Sequence, residues 1–172
     1  MSTPLQILIL EDNPSDRELV LHELRRAGVD FESRHAESEQ GFRACLEPAP
    51  DVILADYKMP QLGALRALEM LKERGADIPV IVVSGTIGEE VAVECLRLGA
   101  VDYLLKDRLG RLGQAVGRAL EDKQLRTERK RAGDALQQSE ERFRTLFDEA
   151  LDGICLADAE TGLIIEIGRA HV

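Results

Sequence analysis

The sequence predicts a doubly wound α/β domain with a five-stranded parallel sheet, followed by a long C-terminal helix and a terminal β-hairpin. Three observations carry that prediction. Short apolar runs alternate with helical patterns of about 10–15 residues through the first two thirds of the chain. The runs are almost continuously apolar and β-branched, as strands covered by helices on both faces must be. Most of them also end on a polar or charged residue: LQILIL on Glu11 and Asp12, DVILA on Asp56, PVIVV on Ser84 and DYLL on Lys106.

The elements follow in order. Leu5–Leu10 is the first strand, and a turn with Pro14 leads into a helix marked by Leu19, Val20, Leu24 and Ala27 that stops at Gly28. Phe31–Ala36 alternates, as a more exposed strand does, and a helix through Phe42, Cys45 and Leu46 ends before Pro48. Val52–Ala55 precedes a loop with Pro60 and a helix over Ala64–Arg74, closed by Gly75. Pro79–Val83 and a helix over Glu89–Leu98, closed by Gly99, lead to a last strand at Val101–Leu105.

In a parallel sheet every strand points the same way, so these terminal residues meet at one edge, where such sheets bind ligands. Three carboxylates held close together repel one another, and a divalent cation is the usual remedy. Mg²⁺ prefers hard oxygen donors, one or two carboxylates and phosphate oxygens. Asp12 and Asp56, assisted by Glu11 through water, would supply that donor set. One carboxylate can then act as a nucleophile on an activated phosphoryl group. Lys106 would serve as a point charge on the phosphoryl oxygens and Ser84 as a hydroxyl donor.

Composition narrows the alternatives. The 172 residues carry a net charge of −10, six aromatic residues and no Trp. Residues 1–109 hold 12 Lys/Arg against 20 Asp/Glu, whereas residues 110–149 hold 9 against 8. No basic patch stands out, which argues against direct nucleic-acid binding. No apolar run reaches the length of a membrane span, and the first strand begins too early to leave room for a signal peptide. Cys45, Cys95 and Cys155 lack paired spacing and read as reduced cytosolic thiols, implying a cytoplasmic protein. His22, His35 and His171 show no ligand spacing. A flavodoxin-type cofactor binder would share the layers, but the first loop, EDNPSD, is acidic and would repel a phosphate.

Residues 5 to about 120 resemble the receiver domain of two-component response regulators. The matching motifs are Glu11-Asp12, Asp56 followed by Met59-Pro60, Ser84-Gly85-Thr86, and Asp102-Tyr103-Leu104-Leu105-Lys106. The resemblance implies a flavodoxin-like strand order of 2-1-3-4-5. It also implies that Asp56 is the phosphoacceptor and that Mg²⁺ lies between Asp12, Asp56 and the backbone carbonyl of Lys58. Ser84 and Lys106 would hold the phosphoryl group, and the rotamer of Tyr103 would follow Ser84. The partner would be a histidine kinase or phosphotransfer protein. One departure concerns the loop after Asp56, where the family's usual Gly position is Ala64 and Gly63 comes one residue earlier. The alternative reading is an atypical receiver that works as a protein-interaction scaffold without phosphorylation. In either case the domain is no enzyme beyond its own phosphorylation and dephosphorylation.

Beyond Leu105 the pattern changes. Leu112, Val116, Ala119 and Leu120 form one apolar stripe suited to packing on the sheet. A second stripe, out of phase with it, runs Leu125, Arg129, Ala132, Leu136, Ser139, Phe143, Leu146 and Ala150, stepping alternately by four and three. That is a heptad seam, and it predicts a homodimeric coiled coil. Residues 139–167 resemble the first helix and opening hairpin of a PAS domain, with strands in ICLAD and LIIEI around Glu160-Thr161-Gly162. A lone hairpin needs cover, and an apolar face on Ile154, Leu156, Ile164 and Ile165 would invite pairing with another chain. The expected division is a receiver over 1–122, a helical linker over 123–150 and a hairpin over 151–172.

Overall fold

In the computed structural model the described residues are 3–85, 88–148, 155–157 and 164–167, with side chains described as far as residue 145. Strands β1 (Leu5–Leu10), β2 (Phe31–Ala36), β3 (Val52–Asp56), β4 (Val80–Ser84) and β5 (Asp102–Leu105) form one parallel sheet in the order β2-β1-β3-β4-β5. Helices α1 (Pro14–Arg26), α2 (Glu39–Ala44), α3 (Ala64–Arg74) and α4 (Glu89–Leu98) connect them, and a 3₁₀ segment at Lys106–Arg111 leads into α5 (Leu112–Asp148).

Two apolar layers hold the sheet. On one face Leu8, Leu10, Ile53, Ala55 and Val82 pack against Phe42 of α2, Leu68 and Leu71 of α3 and Cys95 of α4. On the other, Ile7, Ile9, Leu54, Ile81, Val83 and Leu104 pack against Val20 and Leu24 of α1 and Leu112, Ala115, Val116 and Ala119 of α5. The first stripe of the C-terminal helix is therefore a sheet-packing surface. All five residues of β3 and all five of β4 are buried, which accounts for their near-continuous apolar sequence.

Local chemistry sets the helix ends. Asn13 caps α1 by accepting from Ser15 N–H, and Pro14 takes the first helical position, where no donor is needed. Ser38 caps α2 in the same way, through Gly41 N–H. Helices α3 and α4 stop at Gly75 and Gly99, whose φ of 65° and 110° are left-handed values that glycine adopts without a Cβ penalty.

Small differences from the sequence reading lie at the edges. Strands β3 and β4 each run one residue further, so Asp56 and Ser84 are the last residues of their strands rather than the first of their loops. Helix α2 ends at Ala44, and Cys45 closes it with its N–H on Gly41 and Phe42 carbonyls. Gly63 explains the altered loop. A Cβ there would lie 2.7 Å from the Tyr57 carbonyl oxygen, so the loop into α3 has no space for a side chain at this position.

The chain divides into two compact units, Met1–Gln124 and Leu125–Val172. Within the second, Leu125, Leu136 and Phe143 are exposed on α5, at 52%, 63% and 46%. Strands β6 (Cys155–Ala157) and β7 (Ile164–Ile167) pair antiparallel, with a register shift between Leu156 and Ala157. The two predicted strands are therefore present and paired. Ala150, Ile154, the turn at 159–162 and His171 lie outside the described residues.

Candidate functional site

Register decides where the site forms. Leu10 is paired with Ala55, so Glu11 lies level with Asp56 at the carboxyl edge of the sheet. Asp56 is paired with Val83, and Ser84 with Leu105, which brings Ser84 and Lys106 to the same edge. Side chains alternate along a strand. Glu11, Asp56 and Lys106 thus continue the rows of Ile9, Leu54 and Leu104, on the face covered by α1 and α5. Ser84 continues the row of Val82, on the opposite face, and Tyr103 lies beside Val82 in the pairing.

Glu11, Asp12 and Asp56 each place one carboxylate oxygen within 4.8 Å of the others. Glu11 and Asp56 are buried, whereas Asp12 faces solvent. Three hard oxygen donors at that separation suit a Mg²⁺ ion that enters hydrated from the solvent side. Lys58 lies two residues beyond Asp56 in the same loop, with its side chain exposed.

Lys106 is the hub. Its Nζ lies 2.6 Å from Glu11 Oε2, 2.7 Å from Asp16 Oδ2 and 3.3 Å from Asp56 Oδ2. Burial works against its charge, but hydrogen bonds to Asp16 and Glu11 and the charge of Asp56 outweigh it and hold the ammonium above the usual lysine range. Its stem passes Gly85, where a Cβ would stand 3.9 Å from Lys106 Cδ. Burial pushes the Glu11 carboxyl up, despite the Lys106 hydrogen bond and a second from Asn13 N–H to Oε1 at 3.1 Å.

Of the predicted residues, Glu11, Asp12, Asp56 and Lys106 thus come together, with one addition and one change of emphasis. Asp16 was not singled out from the sequence, although it stands four residues after Asp12, in the first turn of α1, where an acid can reach back to the strand ends. Glu11, expected to assist a cation through water, is here clasped directly by Lys106. Thr86 lies outside the described residues. Tyr103 is half-buried and borders a cleft of about 390 Å³ shared with Gly88, Glu89, Ala92, Leu105, Arg108 and Arg111. Cys95 is a buried free thiol, Cys45 a half-buried one, and His22 and His35 are exposed.

A sheet of this order, with acids and a lysine gathered at its carboxyl edge, is the arrangement that the resemblance to receiver domains implied. The chain belongs to the response regulator receiver domain family, which matches residues 7–117. It is similar to DctR of Bacillus subtilis, named as a probable C4-dicarboxylate response regulator, with 30% identity over 121 residues, 69% of this chain and 54% of that protein. A protein-glutamate methylesterase/protein-glutamine glutaminase of Caulobacter vibrioides is 32% identical over 113 residues, 64% of this chain and 33% of the relative. The receiver domain protein of Clostridium thermocellum superposes with a TM-score of 0.61 at 27% identity, covering 70% of this chain and 98% of that one.

The chain therefore spans about half or less of these two full-length relatives, while the solved receiver domain is covered almost entirely. Receiver domains serve two-component phosphorelay signalling and are not themselves catalytic enzymes; enzymatic activity, as in the methylesterase, is named for a longer relative. Among the described residues no helix is long and apolar enough to cross a membrane.

Proposed function

We propose that this chain accepts a phosphoryl group on Asp56 from the phosphohistidine of a histidine kinase or phosphotransfer protein. A carboxylate oxygen of Asp56 forms the new P–O bond as the P–N bond breaks, and the departing electron pair stays on the imidazole nitrogen. The observation that carries this reading is Asp56, buried at the end of β3, with Lys106 Nζ 3.3 Å away and Glu11 and Asp12 alongside. A Mg²⁺ ion held by Glu11, Asp12, Asp56 and the Lys58 carbonyl would supply neutralising charge for the incoming phosphoryl oxygens. Lys106 and Ser84 would then hold those oxygens.

The direct test is labelling with a small phosphodonor such as acetyl phosphate in the presence of Mg²⁺. Wild type should label and Asp56→Asn should not; label that persists in the variant would refute the assignment. Failure of wild type to bind Mg²⁺ or label at all would favour the phosphorylation-independent scaffold.

The output would run through Ser84 and Tyr103. Tyr103 borders the cleft of about 390 Å³, and on this reading its ring would follow Ser84 when Ser84 engages a phosphoryl oxygen, altering the surface formed by α4, β5 and the start of α5. From there the signal would pass along α5 to a homodimeric coiled coil and a PAS-type module begun by β6 and β7. The exposed stripe of Leu125, Leu136 and Phe143 supports the pairing of that helix with a second copy. The protein would act in the cytoplasm, without direct nucleic-acid or membrane contact by these residues.

A further inference from the structure

An ammonium group has three N–H donors, and Lys106 meets three carboxylates, those of Glu11, Asp16 and Asp56. Two of the three have other partners in the chemistry proposed above: Asp56 takes the phosphoryl group, and Glu11 belongs to the cation site. Asp16 has neither task. We propose that Asp16 is a positioning residue, the carboxylate that keeps Lys106 docked at the strand edge when Glu11 and Asp56 turn to the cation and the phosphoryl group. This inference rests on the reading of Asp56 as phosphoacceptor.

The geometry of α1 supports it. Asn13 caps the helix and Pro14 fixes its first residue, so Asp16 falls in the first turn of the helix that follows β1. Side chains on a helix lean toward its N-terminus, which here is the carboxyl edge of the sheet. An acid at this position commonly bonds back to the N–H of the cap residue. That N–H is already donated to Glu11 Oε1, at 3.1 Å. The Asp16 oxygen reaches Lys106 instead, at 2.7 Å, with its side chain only 33% exposed.

The consequence is specific. A lysine stem has many rotamers, and an ammonium held only by Glu11 and Asp56 would be loosened whenever those two are engaged elsewhere. It would also compete with the cation for both of them. Bound to Asp16, Lys106 keeps one N–H occupied and two free to move from Glu11 and Asp56 to phosphoryl oxygens.

The test is a double-mutant cycle with Mg²⁺ and beryllofluoride, a phosphoryl mimic, measured by calorimetric titration. Asp16→Ala should weaken beryllofluoride binding by about tenfold, as loss of one charge-assisted hydrogen bond implies. Asp16→Asn, which retains an acceptor oxygen, should fall between the two. In a Lys106→Met background the same Asp16 substitutions should change nothing. A second readout needs no ligand: the Lys106 side-chain ammonium signal in the NMR spectrum of wild type should broaden or vanish in Asp16→Ala, with the thermal midpoint confirming a folded protein.

If wild type binds the mimic and Asp16→Ala binds equally well, the proposal is overturned while the phosphoacceptor reading stands. An equal loss in the Lys106→Met background would assign the effect to the helix or to net charge, and would also overturn it. If wild type binds no beryllofluoride, or Asp56→Asn binds it as well as wild type, both readings fall together.

Discussion

Glu11 shows how much a residue at this site depends on its neighbours. Burial raises its carboxyl above the ordinary 4.5, in spite of two hydrogen bonds. The native state therefore binds that proton more tightly than the unfolded chain does. The resulting contribution to stability is present below 4.5 and is lost as pH rises through the raised native value. In metal-free protein, Glu11→Gln should flatten this fall and raise the thermal midpoint at neutral pH, and denaturation across a pH series checks it. An unchanged pH slope would contradict the claim. Added Mg²⁺ should stabilise wild type more than this variant, because only wild type offers the third carboxylate. Glu11, Asp12, Asp56 and Lys106 were legible in the sequence, since each follows an unmistakable apolar strand. Asp16 was not, because an acid in the first turn of a helix is explained by the helix alone. Only its distance to Lys106 distinguishes it.

Among the elements, α5 is where sequence and packing can be separated by experiment. Gly113 and Gly117 sit in the same helix, and propensity alone predicts that alanine stabilises at both. The surroundings differ. A Cβ on Gly113 would lie 2.5 Å from Ala27 Cβ at the end of α1, an atom fixed to its backbone, whereas Gly117 has open space. Overpacking costs about 1–3 kcal/mol, against about 1 kcal/mol gained from replacing glycine in a helix. Gly113→Ala should therefore destabilise or at best be neutral, while Gly117→Ala should stabilise by about 0.5–1 kcal/mol; urea denaturation of both variants decides it. The two stripes of α5 were visible as periodicity. The first proved to be a sheet-packing surface through Leu112, Val116 and Ala119, and the second is exposed at Leu125, Leu136 and Phe143. The shorter α2 was less legible, because the apolar spacing of Cys45 and Leu46 continues past the point where Cys45 caps the helix.

At the scale of the whole molecule, the boundary near Gln124 predicts that residues 1–124 fold alone and keep the phosphoryl chemistry. Such a fragment should melt cooperatively and label on Asp56. If the exposed seam pairs two copies, the full chain should sediment as a dimer and the fragment as a monomer, and a beryllofluoride-dependent change in the dimer should vanish with the seam. A full chain that stays monomeric with and without the mimic would remove the coiled coil from the proposal. The sequence by itself determined the layered fold, the strand boundaries to within a residue and the identity of the acidic edge. It could do so because strand burial on both faces imposes continuous apolar runs, and the polar residue that ends each run has only one edge to occupy. Tertiary structure decided what those residues do to one another. Pairing Leu10 with Ala55 sets Glu11 level with Asp56, and the packing of α1 over that face delivers Asp16 to Lys106 across 90 residues of chain. Such contacts depend on register and helix placement, which no local pattern encodes.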